Sequence, residues 1–172
     1  MPATGQPPST GREIPDEEAI RRVLVRYCQL VDARDAAGIA REVFTEDAID
    51  NMGLFGAPAE GRSGIEAMFT RSNVTTEASA HFISNWIIDV DGDTAHANTY
   101  VTGWTWLRSS GHLGRLRPAD FVSTGNYVDE FKRTDEGWRI SRRDFLPLGP
   151  GSVGIGSLPS AYAGVGGVNP DE

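Results

Sequence analysis

Residues that build disulfide frameworks, metal sites and nucleic-acid surfaces are scarce in this sequence. Its 172 residues include one cysteine, Cys28, which excludes an internal disulfide framework and a Cys-rich zinc site. Three histidines without paired carboxylate spacing do not form a metal-binding pattern. The 16 Lys and Arg stand against 24 Asp and Glu, and the formal net charge of −8 argues against a nucleic-acid partner and an anionic membrane surface. We therefore expect no bound metal ion.

Long apolar runs and the common catalytic motifs are also absent. No segment approaches the roughly 18 apolar residues of a membrane span, and residues 1–14 lack the apolar centre of a secretory signal. Together with the single cysteine, these absences predict a cytoplasmic protein. The chain has no Gly-rich phosphate loop, HExxH, GxSxG or CxxC motif. Any chemistry must therefore rest on isolated polar residues in apolar surroundings.

Glycine and proline are concentrated at the two ends of the chain. Eight of the 10 prolines and nine of the 20 glycines fall in residues 1–15 and 147–172. Residues 1–15 are predicted to be a disordered arm. Residues 147–172 still carry apolar side chains, so they are predicted to be either a flap that orders over a pocket or a disordered tail. The remaining body, residues 16–146, has the length and the apolar content (39% in the whole chain) of one domain.

The hydrophobic pattern of this body changes from helical spacing to alternation. Asp16 is a candidate cap for a first helix whose apolar face includes Ile20 and Val31. Three helices followed by a meander of long strands predict an α+β fold, in which a curved antiparallel sheet packs against N-terminal helices. The other predicted elements are a helix over Ala36–Phe44, a strand over Ile49–Met52, a loop over Gly53–Gly61, a helix from Arg62 or Ser63 to Arg71, and strands over His81–Val90, Thr94–Leu107, Phe121–Arg133 and Trp138–Leu146.

The first helix carries two polar residues beside its apolar face. Asp32 lies at the edge of this face, where it is either an exposed residue at the helix end or a general base in a pocket. Tyr27 lies within the face, so its ring is expected in the core and its hydroxyl needs a partner.

Two further candidates lie on predicted strands. His81 begins an apolar strand on the face shared with Ile83, Asn85 and Ile87, and it is either a proton shuttle or a strand-end histidine bonded to a backbone carbonyl. Arg143 is either an inward side chain that binds an anionic group or a solvated ion-pair partner. The residues alone leave these alternatives open.

The order of several short segments resembles the SnoaL-like branch of the nuclear transport factor 2-like superfamily. The resemblance covers residues 16–146 and implies a cone in which a strongly curved sheet wraps helices around one deep pocket. Its most similar members are scytalone dehydratase, bile-acid 7α-dehydratase and the lindane dehydrochlorinase, which need no cofactor. The segments that carry the resemblance are Ile20, Arg26-Tyr27, Val31–Asp35, Phe44–Ala48, His81–Asn85, Asp91–Ala95, Tyr127–Phe131 and Gly137–Ile140.

The resemblance also implies a catalytic site. The spacing Tyr27-x4-Asp32, a histidine that opens the strand after the third helix (His81) and a late-strand arginine (Arg143) match the dehydratase-type members. Asp32 would hold His81 in one tautomer and stabilise the imidazolium formed on proton abstraction. We further predict that a set of residues on the helix and strands contacts substrate: Cys28, Val31, Ile49, Asn85, Val101 and Tyr127.

The implied activity is a lyase that eliminates water or another leaving group from an apolar cyclic substrate of polyketide, steroid or aromatic type. Two alternatives remain: an isomerase or cyclase that uses the same pocket, and a non-catalytic binding or assembly module. A homo-oligomer, either a trimer or a dimer, is expected, with the sheet face that carries Tyr100, Trp104 and Trp106 as the candidate interface.

Overall fold

Helices at the start of the chain lie against a curved sheet built mostly from its second half. The computed structural model describes residues 14–53, 56–110, 118–148 and 153–154. The helices are α1 (Asp16–Asp32), α2 (Ala36–Val43) and α3 (Gly61–Thr75). The strands are β1 (Phe44–Asn51), β2 (Ala59–Glu60), β3 (Thr76–Asp91), β4 (Thr94–Leu107), β5 (Phe121–Thr134), β6 (Gly137–Pro147) and β7 (Val153–Gly154).

The sheet is open and mixed. Its strands follow the order β2-β1-β6-β5-β4-β3, and β7 pairs with β5 beside this path. The pair β1–β6 is parallel, whereas the other pairs are antiparallel. The predicted α+β class and cone-shaped architecture are confirmed.

The apolar face of α1 forms much of the core. Ile20, Leu24, Tyr27, Cys28 and Leu30 of this helix are buried, and the helix packs mainly against β3. The spacing of these residues at three and four positions predicts this face. Because full burial of a large apolar side chain contributes about 1.5–3 kcal/mol, this helix is anchored firmly inside the sheet.

The first strand is longer than predicted. β1 begins at Phe44, where the sequence predicted the end of the second helix, because Phe44 pairs with Ile140 of the neighbouring β6. The two-residue strand β2 lies within the predicted loop over residues 53–61, and α3 extends to Thr75 rather than to Arg71. These boundaries depend on pairing and packing between distant segments, which local propensity does not report.

A β-bulge in β3 corrects the predicted face of this strand. Ser84 pairs with Tyr100 but Ile87 pairs with Asn98, so β3 contains one extra residue at this point. Asn85 lies in the bulge with a positive φ of 50°. Beyond the bulge the alternation is reversed: Ile88 packs against the core, whereas Ile87 is 64% exposed. The prediction that His81, Ile83, Asn85 and Ile87 share one face is therefore wrong beyond Ile83.

The outer face of the sheet carries several exposed aromatic rings. The alternation predicted for β4 is observed between Thr94 and Val101, and Tyr100 and Trp104 are 44% and 43% exposed. The Trp104 ring lies 6.3 Å from Phe82 and 6.4 Å from Trp106, measured between ring centroids. Self-association through this face stays a prediction that light scattering can test.

Most residues of the two predicted terminal segments, namely 1–13, 149–152 and 155–172, lie outside the described residues. Where the chain is described, Pro147 ends β6, and Val153–Gly154 pair with Phe121 and Val122 of β5. None of the described helices is both long and apolar enough to cross a membrane.

The start of α1 is tied to the sheet by Asp16. The sequence predicted Asp16 as the cap of this helix, but the structure makes it the first helical residue. Its two carboxylate oxygens each accept a hydrogen bond from Arg133 at 2.7 Å. Trp138 Nε1 donates to the same carboxylate at 3.0 Å, and the Arg133 guanidinium lies over the Trp138 ring. The bonds from Arg133 and Trp138 lower the pKa of Asp16 from 3.8 to about 2.

The bonds of Arg133 and Trp138 to Asp16 predict a contribution to stability that is lost at acidic pH. Asp16→Ala should lower the melting temperature at neutral pH, because the variant loses the partner of Arg133 and Trp138. A lowered pKa stabilises the fold above the ordinary value of 3.8, and this contribution disappears as the pH falls through about 2. The difference in melting temperature between wild type and variant should therefore shrink over that range. Asp93→Ala is the control, since Asp93 also pairs with Arg133 but its side chain is 83% exposed; a loss as large as that of Asp16→Ala would contradict the assignment.

Candidate active site

A histidine and an aspartate meet where α1 ends against β3. His81 Nδ1 lies 2.6 Å from Oδ1 of Asp32, the last residue of α1. The backbone N–H of His81 donates to Oδ2 of the same carboxylate at 3.0 Å, and the Ser79 hydroxyl donates to Oδ1 at 3.1 Å. The C-terminal end of a helix disfavours a carboxylate, so these three bonds, rather than the helix dipole, account for the position of Asp32.

The hydrogen bonds keep Asp32 ionised. Partial burial opposes the charge, but the bonds from His81 and Ser79 together outweigh it and lower the pKa of the Asp32 carboxyl. An ionised Asp32 accepts a hydrogen bond from the Nδ1–H of His81, which leaves the lone pair of Nε2 free to act as the acceptor. The pair therefore has the arrangement of a general base held in one tautomer.

A cavity of about 90 Å³ adjoins His81. At Gly103 in its wall, a Cβ atom would lie 3.1 Å from both His81 Nε2 and Ser123 Oγ, so glycine keeps the space beside the imidazole open. The lining combines aromatic and aliphatic side chains with hydroxyl, amide and imidazole groups: Tyr27, Val31, Met52, Phe69, Ser72, Asn73, Thr76, Ser79, His81, Val101, Gly103, Thr105, Phe121, Ser123, Tyr127 and Phe145.

Some of the predicted substrate contacts line this cavity and others do not. Val31, Val101 and Tyr127 line it, as do the predicted catalytic residues Tyr27 and His81. The remaining three predicted contacts lie elsewhere: Cys28 in the core, Ile49 on β1 opposite Glu60, and Asn85 in the exposed bulge of β3.

A larger groove, of about 520 Å³, runs along the outer side of α1 beside Trp86. Its arginines Arg21, Arg22 and Arg26 are paired with glutamates of α1 and α2. It contains none of the predicted site residues, and its charges already have partners, so the smaller cavity is the better candidate site. Among the residues that the structure describes, no group of three or more His, Cys, Asp and Glu side chains could hold a metal ion.

Arg143 lies behind two of the lining tyrosines and does not itself line the cavity. It is fully buried and donates from Nε and Nη2 to the two oxygens of Asp129, at 2.7 Å each. The guanidinium carbon lies 4.1 Å from the ring centroid of Tyr27 and 4.0 Å from that of Tyr127. Burial opposes the charge on Arg143, but Asp129 outweighs it and raises the pKa of the guanidinium.

Asp50 is a second buried carboxyl beside Arg143. It is fully buried and is the β1 residue opposite Arg143. Neither of its oxygens has a hydrogen-bond partner among the residues that the structure describes. Burial raises its pKa from 3.8 to about 7, with Arg143 opposing the rise and Asp129 adding to it. Burial also raises the pKa of Tyr27 well above 10, so its hydroxyl is a neutral donor at physiological pH.

The sequence did not single out Ser79, Asp50 or Asp129. Ser79 was missed because the strand was predicted to begin at His81. Asp129 lies on the same face of β5 as Tyr127 and Phe131, at a spacing of two residues, so the pattern contained a signal that it points inward. That it faces Arg143 depends on the register of β5 and β6, which only the folded sheet defines.

Comparison with known proteins agrees with the fold. A model of the SnoaL-like domain matches residues 12–144. This chain belongs to the SnoaL-like family, within the nuclear transport factor 2-like superfamily, and the predicted resemblance is confirmed. The uncharacterized protein Rv2910c of Mycobacterium tuberculosis is 33% identical over 133 residues, which are 76% of this chain and 84% of that protein.

Solved structures share the fold. A protein of Novosphingobium aromaticivorans provisionally assigned as an aromatic ring hydroxylase is 29% identical, with a TM-score of 0.69 over 83% of this chain and 96% of its own. A second protein of that organism, provisionally assigned as a scytalone dehydratase, is 20% identical, with a TM-score of 0.67 over 86% of this chain and 93% of its own. At that identity the second likeness concerns the fold alone.

The raised pKa of Asp50 predicts a stability that falls as the pH rises. Native Asp50 keeps its proton up to about pH 7, whereas an unfolded aspartate loses it near 3.8. The native state therefore binds more protons between these values, and the free energy of unfolding decreases across the interval, by on the order of 2–4 kcal/mol. Asp50→Asn should remove this part of the pH dependence, as measured by urea unfolding at several pH values.

Asp50→Leu is the second variant, since it also removes the titrating group but keeps a similar volume. Both variants should show the same flattened dependence. Retention of the full wild-type slope in both would show that Asp50 is ionised in the native protein.

Proposed function

We propose that this SnoaL-like protein is a cofactor-independent acid/base enzyme, a lyase that eliminates water from an apolar cyclic substrate. The observation that carries the proposal is the 2.6 Å contact between His81 Nδ1 and Asp32 in the wall of a cavity lined by aromatic rings. A histidine oriented by an ionised carboxylate is the commonest general base at neutral pH.

The proposed step balances its protons within the site. His81 Nε2 takes a proton from the carbon next to an activating group, and the released electron pair forms the carbon–carbon double bond. The carbon–oxygen bond to the leaving hydroxyl breaks, and Tyr27 donates the proton that turns the hydroxide into water. The imidazolium, stabilised by Asp32, then returns its proton to the Tyr27 phenolate through the released water.

An isomerase or cyclase is the second candidate, because the same base could return the proton to another carbon of the substrate. A non-catalytic module is disfavoured, since it would need neither a hydrogen-bonded His81–Asp32 pair nor an open space beside Nε2. Mass spectrometry of the product separates the first two candidates, because a dehydration product is lighter by one water and an isomer is not.

The cavity favours a substrate near the size of a single ring. Its volume of about 90 Å³ is below the roughly 150 Å³ that accommodates a benzene molecule in an engineered protein cavity. Met52, an unbranched side chain in the lining, is the residue that we expect to move to admit one ring. The name of the 29% identical relative also refers to an aromatic ring. We therefore favour an aromatic or alicyclic compound of one ring over the polycyclic classes.

Removal of the base tests the mechanism. With a hydroxylated cyclic substrate, His81→Ala and Asp32→Asn should each lower kcat by about 100- to 10,000-fold, because the first removes the base and the second no longer fixes its tautomer. His96→Ala is the matched control, since His96 lies on the exposed face of β4 and should leave kcat unchanged. Equal turnover by wild type and both dyad variants would exclude the mechanism.

A ring-size series tests the substrate class without requiring turnover. In calorimetric titrations, single-ring phenols should bind more tightly than two-ring naphthols, and a steroid should not bind. Gly125→Ala should weaken phenol binding, because a Cβ at position 125 would overlap the Phe145 ring and push it into the cavity. Gly64→Ala is the control, since its Cβ meets only ordinary contacts at 3.7 Å or more. Tighter binding of the steroid than of the phenol would contradict the size argument.

A further inference from the structure

Three strands bring ionisable side chains together behind the cavity. Arg143 of β6 lies opposite Asp50 of β1 and Asp129 of β5 in the register of the sheet. All three residues are 0% exposed. The cavity itself is bordered by Tyr27 and Tyr127, whose rings separate it from the charged group.

The position of the guanidinium depends on Asp129. The two bonds of 2.7 Å form a bidentate pair, which fixes the orientation of the planar group as well as its location. In this orientation the guanidinium contacts the rings of both tyrosines, whose centroids are 5.6 Å apart with an interplanar angle of 86°. A guanidinium held against two aromatic faces in a dry interior is attracted to both. Arg143 is thus a contact that the two tyrosine rings share, in addition to their packing against Phe44, Phe69 and Phe145.

The cluster is poorly explained as a contribution to stability alone. Within the described part of the chain, Nη1 of Arg143 and both oxygens of Asp50 lack hydrogen-bond partners. Buried ion pairs are often replaced by apolar residues without loss of stability, and an unpartnered buried polar group has a cost. Ionisable groups arranged in this way beside a cavity point to a functional role. Burial raises the pKa of Tyr27 and Tyr127, and the positive charge of Arg143 acts in the opposite direction on both.

We propose that Asp129 is a positioning residue of the cavity, which acts by holding Arg143 between the rings of Tyr27 and Tyr127. Through this contact Asp129 fixes the tyrosine hydroxyls at the cavity, and the positive charge of Arg143 stabilises the phenolate of Tyr27 after it has given its proton to the leaving group. Arg143 then acts on the substrate through the tyrosines and does not bind the leaving group itself. The inference rests on the proposed elimination, in which Tyr27 is the acid.

A double-mutant cycle on kcat tests this role. Asp129→Asn should lower kcat by up to about 100-fold, because displacement of a catalytic group by about 1 Å is enough for such a loss. KM should change little, since Asp129 does not line the cavity. In a Tyr27→Phe background the same substitution should have no further effect on kcat, because the hydroxyl through which Asp129 acts is already missing. A merely structural role would lower kcat by the same factor in both backgrounds.

Asp144→Asn is the matched control. It removes another Arg–Asp pair of β6, in which Arg142 donates to Asp144 at 2.7 Å, and it should leave kcat unchanged. If thermal unfolding shows that Asp129→Asn does not fold, the cycle is repeated with Asp129→Glu, which keeps the charge but moves the carboxylate by one methylene. Full activity of the variant, or an equal loss with and without the Tyr27 hydroxyl, would overturn the proposal.

The outcome is distinguishable from failure of the proposed function. If His81→Ala keeps full turnover, the dyad mechanism fails whatever the effect of Asp129. If the dyad variants lose turnover and Asp129→Asn keeps it, the dyad mechanism stands and only the positioning role is overturned.

Discussion

The burial of one positive charge constrains the centre of this fold. Arg143 is fully excluded from water, and a lone guanidinium there would be strongly destabilising, by about 3–5 kcal/mol relative to the intact pair. Its pairing with Asp129 requires the observed register of β5 and β6, and its contact with Tyr27 requires α1 to lie inside the curve of the sheet. Strand register, helix placement and the position of two tyrosines are therefore coupled through a single side chain.

The cavity lies between this charged cluster and a second polar pair. On one side, His81, hydrogen-bonded to Asp32, lies next to the open space at Gly103. On the other, Tyr27 and Tyr127 line the cavity, and their rings contact Arg143. In the proposed elimination, a base and an acid on separate elements act on different atoms of one substrate, since the base is oriented by the partly buried Asp32 and the acid lies against the fully buried Arg143.

The local sequence pattern was sufficient to predict the elements with strong periodicity. It was insufficient where pairing between distant strands determines the structure. The apolar spacing of α1 and the alternation of β4 predict the observed buried faces, and the Asp91-Gly92-Asp93 turn joins β3 to β4 with Gly92 at a φ of 57°. The bulge at Asn85 was not predictable, because an extra residue in one strand leaves no period of its own in the sequence. It reversed the faces beyond Ser84, and with them the expected place of Asn85.

By itself, the amino-acid sequence determined the class of fold through its periodicity, and its resemblance to SnoaL-like members gave the family and brought Tyr27, Asp32 and His81 together as candidate site residues. Only the tertiary structure decided that Asp32 and His81 are in hydrogen-bond contact, that Ser79 joins them, and that Arg143 lies behind the tyrosines with Asp129 and Asp50. The physical reason is that a buried charge selects its partner by strand register and solvent exclusion. Both properties arise when distant strands pair, and neither can be read from the neighbours of a residue in the chain.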